Sequence, residues 1–374
     1  MRHFFAPLCL LLLTSCATLP EASTIRPDTF WRDEKGVHIN AHGGGILRHN
    51  GRWWWYGEHK VRGAIGNTAQ VGVRVYSSGN LVDWRDEGVA LRVEPEGSGS
   101  DLEKGCILER PKVLYCARTG QFVMYFHLEL KGQGYAAART GIAVSEAPQG
   151  PFRFLRSLRP LAGKVPLGFT PRAPLAELHG RFREGGQMAR DMTLFLDDDG
   201  RAYHIYASEE NQTLQVAELT PDFLDYTGRY VRIAVGDSTE APALCKRDGW
   251  YYLIGSGCTG WAPNAARLYA ARSLFGPWTR LDNPCRGVNP HNGLGPEKTW
   301  GGQSTCFIPP ARPGDPLIAC FDLWTPQNPI DGRYIWLPVT FGEPIAPGLP
   351  PMLTIHWQDA WSLVDCASPE SLAQ

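Results

Sequence analysis

The chain has 374 residues, a formal net charge of −1 and 20% charged side chains. This balance leaves no basic field for nucleic acid and no strongly acidic tail, so it excludes the highly charged binding proteins. Its 13 Trp, 13 Tyr and 15 Phe, together with 41 Gly and 30 Pro, favour an all-β protein with many tight turns.

The first fifteen residues have the pattern of an export signal that is removed from the mature protein. A short basic start precedes the apolar residues 8–13, a stretch too short to span a bilayer. The sequence Leu13-Thr14-Ser15-Cys16 resembles a bacterial lipobox, whose cysteine becomes the lipid-modified first residue. We therefore expect a signal peptide over residues 1–15 and lipid on Cys16. The alternative is an ordinary signal peptide with an incidental cysteine.

Ala17, rather than an Asp, follows Cys16. By resemblance to other lipoproteins, this favours the outer membrane of a Gram-negative cell, facing either the periplasm or the outside. The lipid would be the only contact with the membrane. Residues 16–30 are predicted to be a tether, residues 31–366 one monomeric domain and residues 367–374 a tail, because no linker or charge run interrupts the domain.

Five segments of the domain open on a polar or charged cluster and continue into a strand, a turn and a second strand. The segments open near His42, Glu109, Arg190, Glu240 and Gly302. Asn-Gly or Asp-Gly pairs lie at three of the turns, a strong signal for a hairpin because both turn residues need a positive φ. A unit repeated five times predicts a closed repeat fold.

The segments after these hairpins also repeat. Residues 77–84, 145–152 and 273–278 each have the pattern of a third strand, a loop and the start of a fourth. Five four-stranded units predict a five-bladed β-propeller, closed by residues 31–39 or 354–364. A β-sandwich is the alternative, but it does not explain five similar openings. In a propeller, the first strands line the channel, so the five openings would converge around one mouth.

The openings carry carboxyl groups, which suits glycoside hydrolysis. An inverting hydrolase uses one protonated carboxyl as acid and one base that activates water. A third carboxylate near the acid would raise the pKa of the acid by repulsion between like charges. Glu109, Asp191 and Glu240 are the carboxylates available at the predicted mouth.

Two of these openings resemble motifs of glycoside hydrolase family 43. Residues 190–203 are similar to the family segment with the Asp that tunes the acid, and Thr239-Glu240-Ala241-Pro242 to the segment with the acid itself. The resemblance implies a five-bladed propeller that acts by inversion, with Asp191 and Glu240 in these two roles.

The first opening departs from the general family pattern. Most members have Asp-Pro there, whereas this chain has Ala41-His42-Gly43-Gly44-Gly45. That segment, with Glu109-Arg110-Pro111, Thr259-Gly260-Trp261 and Gly302-Gln303-Ser304, is similar to the exo-β-1,3-galactanases of the family. The resemblance implies that Gln303 replaces the base through its imidic-acid tautomer and that Glu109 helps to place substrate. It also implies that Thr259 and Trp261 lie in the sugar pocket.

Several residues leave alternatives open. Physical chemistry alone favours Glu109 over Gln303 as base, because amides are poor bases, yet Glu109 could instead pair with Arg110. Further candidates for sugar binding are Glu58, His42, Tyr125 and His127. Glu58 could instead pair with Lys60 or Arg62, and His42 could be structural.

Metals and cofactors are not expected. No CxxC motif occurs, and His38 and His42 lie about 13 Å apart if they are on a strand. Asp197–199 are predicted to form a hairpin turn rather than a calcium site. In an exported protein, Cys106 could pair with Cys116 and Cys285 with Cys306, although sequence does not determine the pairing.

The sequence thus predicts an inverting exo-β-1,3-galactosidase that acts on arabinogalactan-type substrates. An α-L-arabinofuranosidase or β-D-galactofuranosidase of the same family is the nearest alternative, and pocket loops such as residues 155–187 would decide between them. A glycan-binding lipoprotein without activity is a third possibility, against which the presence of both Asp191 and Glu240 argues.

Overall fold

Strands are the main secondary structure in the computed structural model, which describes residues 24–63, 67–68, 71–344, 346 and 348–363. The predicted signal peptide, Cys16 and the C-terminal tail lie outside the described residues. Within those ranges, no helix is both long and apolar enough to cross a membrane.

The first two blades are antiparallel sheets whose strands follow one another in chain order. A short strand, β1 (Thr24–Ile25), precedes them. The first blade consists of β2 (His42–His49), β3 (Arg52–His59), β4 (Gly72–Ser78) and β5 (Arg85–Arg92). The second consists of β6 (Ile107–Cys116), β7 (Gln121–Glu129), β8 (Arg139–Ser145) and β9 (Arg153–Leu158).

The third and fourth blades have the same order, and helix α1 (Ala176–Arg183) lies in the insertion before them. The third blade consists of β10 (Met192–Leu196), β11 (Ala202–Ser208), β12 (Thr213–Leu219) and β13 (Tyr226–Ile233). The fourth consists of β14 (Thr239–Arg247), β15 (Trp250–Gly257), β16 (Arg267–Ala271) and β17 (Thr279–Leu281).

The fifth blade has five strands. They are β18 (Cys285–Arg286), β19 (Gln303–Ile308), β20 (Ile318–Leu323), β21 (Arg333–Pro344) and β22 (Pro351–His356). The C-terminal β22 supplies the fourth strand, and β18 pairs in parallel outside it. Short 3-10 helices occur at Pro296–Gly301 and Pro329–Asp331. The last strand, β23 (Trp361–Ser362), pairs with β1 in a separate two-stranded sheet. Of the two segments considered for closing the ring, residues 354–364 therefore contribute to the blade through β22, whereas residues 31–39 form only isolated bridges.

Contacts between first strands close the ring. Strand β2 contacts β6, β6 contacts β10, β10 contacts β14, β14 contacts β19, and β19 contacts β2. The predicted all-β, five-bladed propeller is therefore confirmed. Hairpins form at all three predicted turns. Asn50-Gly51 and Asp248-Gly249 have the two positive φ values that the signal implies, 48° and 78° in the first pair, whereas at Asp199-Gly200 only the glycine does.

Apolar side chains fill the space between neighbouring blades. Around the closure, the Trp55 ring lies 4.8 Å from Trp336 and 5.3 Å from Trp84, in tilted and edge-on arrangements that aromatic rings favour. These rings are buried, so they are core rather than sugar-stacking platforms.

A repeated β-bulge shapes the mouth of the channel. The pairing register shifts directly after His42 in β2, Glu109 in β6 and Glu240 in β14. The residue after each has a positive φ: 61° at Gly43, 56° at Arg110 and 54° at Ala241. A bulge bends the strand and redirects a side chain. The bulges therefore give the openings of the first, second and fourth blades a common geometry.

Candidate active site

A cavity of about 330 Å³ lies where the blade openings converge. This volume is at the lower end of the range for small-molecule sites. Its lining is polar and aromatic and comes from all five blades: Glu58, Asn67, Glu109, Arg110, His127, Tyr135, Arg190, Asp191, Asn211, Glu240, Gly260, Trp261, Gln303 and Trp324. The four predicted catalytic residues therefore lie in one cavity, as the five repeats implied.

Glu240 has the environment of a general acid. Its Oε1 accepts a hydrogen bond from Gln303 Nε2 at 3.0 Å, and its Oε2 accepts one from Asn211 Nδ2 at 3.3 Å. Burial, followed by the negative charge of Asp191, raises the pKa of Glu240 to about 7. A carboxyl with this pKa keeps its proton in a large fraction of molecules near neutral pH.

Asp191 is held as the charged neighbour of Glu240. Its Oδ2 lies 2.9 Å from Arg110 Nη2 and accepts a hydrogen bond from the backbone N–H of Ala241 at 3.1 Å. Ala241 directly follows Glu240, so this bond ties the third blade to the acid.

Arg110 is the central residue that sequence reasoning missed. Its buried guanidinium binds Asp191 and donates to Gln303 Oε1 at 2.6 Å and to the Ser304 carbonyl at 3.2 Å. Burial opposes its charge, but Asp191 and Glu58 outweigh burial and raise the pKa of Arg110. It pairs with Asp191 rather than with Glu109. Its place after Glu109 in a blade opening was the signal that could have identified it.

Glu109 pairs with His127 instead. Its Oε2 lies 2.9 Å from His127 Nδ1, and its Oε1 accepts a hydrogen bond from the Tyr135 hydroxyl at 2.9 Å. Burial alone would raise the pKa of Glu109, but the hydrogen bond and charge of His127 outweigh it and lower that pKa to about 2. Glu109 is therefore an ionised carboxylate in the cavity wall over the ordinary pH range.

Gln303 is held by four hydrogen bonds. Its Oε1 accepts from Arg110 Nη2 and from Trp324 Nε1 at 2.9 Å, while its Nε2 donates to Glu240 and to Ser256 Oγ at 2.9 Å. Arg110 and Trp324 can only donate, so they must face the amide oxygen. In the imidic-acid form, the oxygen of Gln303 would carry a hydrogen. That O–H group would face the N–H donors of Arg110 and Trp324, so donors would oppose one another. The network therefore favours the ordinary amide form.

Three of the candidates for sugar binding line the cavity: Glu58, Trp261 and His127, whose pairing with Glu109 is described above. Glu58 is buried, lies 3.2 Å from Lys60 Nζ and accepts a hydrogen bond from the Arg110 backbone N–H at 2.9 Å. It thus lies in the cavity wall and also forms the ion pair that was its alternative. Trp261 is 46% exposed, and its ring lies 5.8 Å from that of Trp324.

The structure places Tyr125, His42 and Thr259 outside the cavity lining, which differs from the expectation for Tyr125 and Thr259 and agrees with the structural alternative for His42. Tyr125 donates to the Phe223 carbonyl at 2.9 Å between blades. It lies two residues before His127 on β7, about 7 Å further along the strand. His42 is buried against the Tyr334 ring, and the Thr259 hydroxyl donates to the Ala262 carbonyl within the loop that presents Trp261.

Other lining residues come from loops that no motif marked. Tyr135, which is 41% exposed, and Asn67 form a hydrogen bond across the rim. Trp324 follows β20 and holds Gln303. Each reaches the cavity through contacts distant in sequence, which explains why periodicity did not identify them.

One group of potential metal ligands occurs among the described residues. Oxygen and nitrogen atoms of Glu109, His127 and Asp191 lie within 4.8 Å of one another. His127 and Arg110 already compensate these carboxylates, so a cation would have to displace existing ion pairs. The Asp197–199 segment is a turn in which Asp197 lies 2.6 Å from Lys246 Nζ.

Neither cysteine pairing considered from the sequence is present. The described cysteines are all unpaired, including Cys106, Cys116, Cys285 and Cys306. Cys306 lies opposite Cys320 in the register of β19 and β20, not opposite Cys285. Two cysteines that lie at either end of one strand or one loop in the sequence are therefore not neighbours in the folded sheets.

Comparisons with known proteins agree with this geometry. A sequence profile described as Glycosyl hydrolases family 43 matches residues 63–294. A family 43 β-1,3-galactosidase solved with galactodeoxynojirimycin is 47% identical, with a TM-score of 0.81, and the match covers 90% of this chain and all of that one. An exo-β-1,3-galactanase from Clostridium thermocellum is 34% identical, with a TM-score of 0.73, over 91% of this chain and 67% of that one.

A curated relative is more distant. A protein of Xylanibacter ruminicola named as a β-xylosidase is 25% identical over 241 residues, which are 62% of this chain and 39% of its own length. The chain therefore spans about two fifths of that relative.

Proposed function

Since the chain belongs to glycosyl hydrolase family 43, we propose that it is an inverting exo-β-1,3-galactosidase, releasing galactose from the ends of β-1,3-galactan or related arabinogalactan oligosaccharides. The observation that carries the proposal is the Glu240 carboxyl, whose pKa is raised by burial and by Asp191. It lies in a cavity of a size suited to a terminal sugar. The similarity to galactosidases and galactanases supports galactose as that sugar.

In the proposed reaction, Glu240 gives its proton to the glycosidic oxygen as the bond from that oxygen to the anomeric carbon breaks. Water attacks the anomeric carbon from the opposite face, so the configuration inverts. A base in the cavity accepts the proton that the water loses. Arg110 keeps Asp191 in place beside the acid and holds Gln303, whereas the exposed Trp261 offers a face for a sugar ring.

A substrate panel tests the proposed specificity. We expect galactose from β-1,3-galacto-oligosaccharides and from p-nitrophenyl β-D-galactopyranoside, and little release from the α-L-arabinofuranoside or β-D-galactofuranoside. Preference for either furanoside would replace galactosidase with one of the alternatives from the sequence. Binding of galactan without any product would instead favour a glycan-binding protein.

The protonation of Glu240 determines how kcat/KM depends on pH. Because Glu240 must be protonated, kcat/KM should fall as the pH rises through about 7, where Glu240 loses its proton. Asp191→Asn removes the neighbouring charge that raises this pKa. The basic limb of the profile should therefore move to lower pH, measured as kcat/KM on an aryl galactoside. An unchanged limb in a folded variant would contradict tuning by Asp191.

The proposal includes attachment to the outer membrane through lipid on Cys16, because Leu13-Thr14-Ser15-Cys16 ends the apolar run. Cys16→Ser should abolish incorporation of labelled palmitate and yield a soluble protein or an unprocessed precursor. Substitution of Cys9, which lies within the apolar run, serves as the matched control and should leave labelling intact. Equal labelling of the Cys16 variant would count against lipidation at this site.

A further inference from the structure

Glu109 begins a row of three charged side chains, and the two behind it, His127 and Glu129, are buried. His127 Nδ1 is 2.9 Å from Glu109 Oε2, and His127 Nε2 is 2.8 Å from Glu129 Oε1. The other oxygen of Glu129 accepts a hydrogen bond from the Ala138 backbone N–H at 2.8 Å. His127 and Glu129 are 0% exposed. The reaction outlined above uses neither of them.

The contacts define the protonation of His127. Each ring nitrogen faces a carboxylate oxygen, and an ionised carboxylate can only accept hydrogen bonds. Nε2 forms a hydrogen bond to Glu129, whereas Nδ1 lies 2.9 Å from Glu109 Oε2 in an ion pair without hydrogen-bond alignment. A carboxylate this close to each nitrogen favours the imidazolium over the neutral ring. Burial would lower the pKa of His127, but the two carboxylates outweigh burial and raise it to about 9.

The charge of this row determines the state of Glu109. A buried carboxylate without a cation tends to take up a proton. Five other charged or titratable groups surround the row of Glu109, His127 and Glu129. They are Glu58, Lys60, Asp191, Tyr135 and Arg159. Lys60 pairs with Glu58 at 3.2 Å, and Arg110 pairs with Asp191, so His127 is the cation in direct contact with Glu109.

We propose that His127 and Glu129 are positioning residues for the hydrolysis, which keep the Glu109 carboxylate ionised and fixed in the cavity wall so that it can orient the attacking water. Glu129 acts through His127, and His127 acts through Glu109. The proposal rests on the glycosidase function proposed above, since it assigns this row a part in that reaction.

Glu129→Gln is the sharpest variant, because it changes the charge of His127 without changing the net charge of the row. The Ala138 N–H needs an acceptor, so the amide oxygen of the new side chain should face it. The amide NH₂ group then faces His127 Nε2, which must lose its proton to accept. His127 becomes neutral while Nδ1–H still faces Glu109.

The expected result is that kcat/KM of the Glu129→Gln variant falls at low pH, which gives its pH profile an acidic limb that the parent lacks. In the parent enzyme, the low pKa of Glu109 keeps kcat/KM on an aryl galactoside nearly constant below the Glu240 limb, from about pH 6 down to about pH 4. In Glu129→Gln, burial should raise the pKa of Glu109, so kcat/KM should fall about tenfold or more over the same interval. Glu218→Gln, which removes a largely buried carboxylate from an Arg229 pair in another blade, should keep the parent profile.

A second readout does not depend on activity. In the ¹⁵N NMR spectrum at pH 7, the parent should show His127 with both nitrogens protonated, and Glu129→Gln should show a neutral ring. A neutral His127 in the parent would overturn the proposal, as would an unchanged acidic limb in a folded Glu129→Gln variant. If the protein cleaved no galactoside while His127 remained an imidazolium, the proposed function would fail rather than the charge assignment, and with it the catalytic role of the row.

Discussion

Glu240→Gln is expected to lower kcat on β-1,3-galacto-oligosaccharides by about 10²–10⁴-fold, the usual contribution of a positioned acid. The amide has nearly the same shape but cannot give a proton to the glycosidic oxygen. It can still accept the hydrogen bond from Gln303, so binding of galactose, measured by calorimetry, should change little.

The leaving group provides the internal control for this variant. An aryl galactoside with an acidic phenol needs less protonation, so the loss on that substrate should be smaller. Glu103→Gln, which alters a carboxylate that binds Lys131 away from the cavity, should retain parent activity. Full activity of Glu240→Gln on the oligosaccharide would refute the assignment of the acid.

The second large effect is expected at Glu109. Glu109→Gln should reduce kcat by several orders of magnitude if this ionised carboxylate orients and deprotonates water. Gln303→Ala should act mainly on KM and on the basic limb, because Gln303 connects Arg110 to Glu240 but is held as an amide. Kinetics at saturating substrate separate the two effects.

Chemical rescue sharpens this comparison. In Glu109→Ala, azide can occupy the space of the carboxylate and either accept the proton or attack the anomeric carbon itself, which would give α-galactosyl azide. Rescue of Glu109→Ala but not of Glu240→Gln is expected. A severe loss in Gln303→Ala, together with near-normal turnover of Glu109→Gln, would assign the base to Gln303.

The ring architecture was predictable because its signals are local. Asn50-Gly51 and the other hairpin pairs set strand boundaries, and five similar openings imply a closed arrangement. Convergence of Glu109, Asp191, Glu240 and Gln303 followed from the repeat alone, since equivalent positions of each blade meet at one mouth.

The partners of these residues were less predictable because they depend on bulges and on distant loops. Glu109 and Arg110 are adjacent in sequence, yet the bulge with its positive φ at Arg110 directs one to His127 and the other to Asp191. Because side chains alternate along a strand, the sequence also left open whether Tyr125 on β7 would face the channel. Packing between residues distant in sequence determines the partners of Glu109 and Arg110 and the position of Tyr125.

The mechanism is tested most directly by the anomer that forms first. β-1,3-Galactobiose whose reducing end has first been reduced to the alditol frees galactose only from its non-reducing end. Incubated with enzyme and followed by ¹H NMR within the first minutes, it should release α-galactose. The β-anomer should then accumulate only at the rate of spontaneous mutarotation. Initial formation of β-galactose would contradict inversion through Glu240 and a water-activating base.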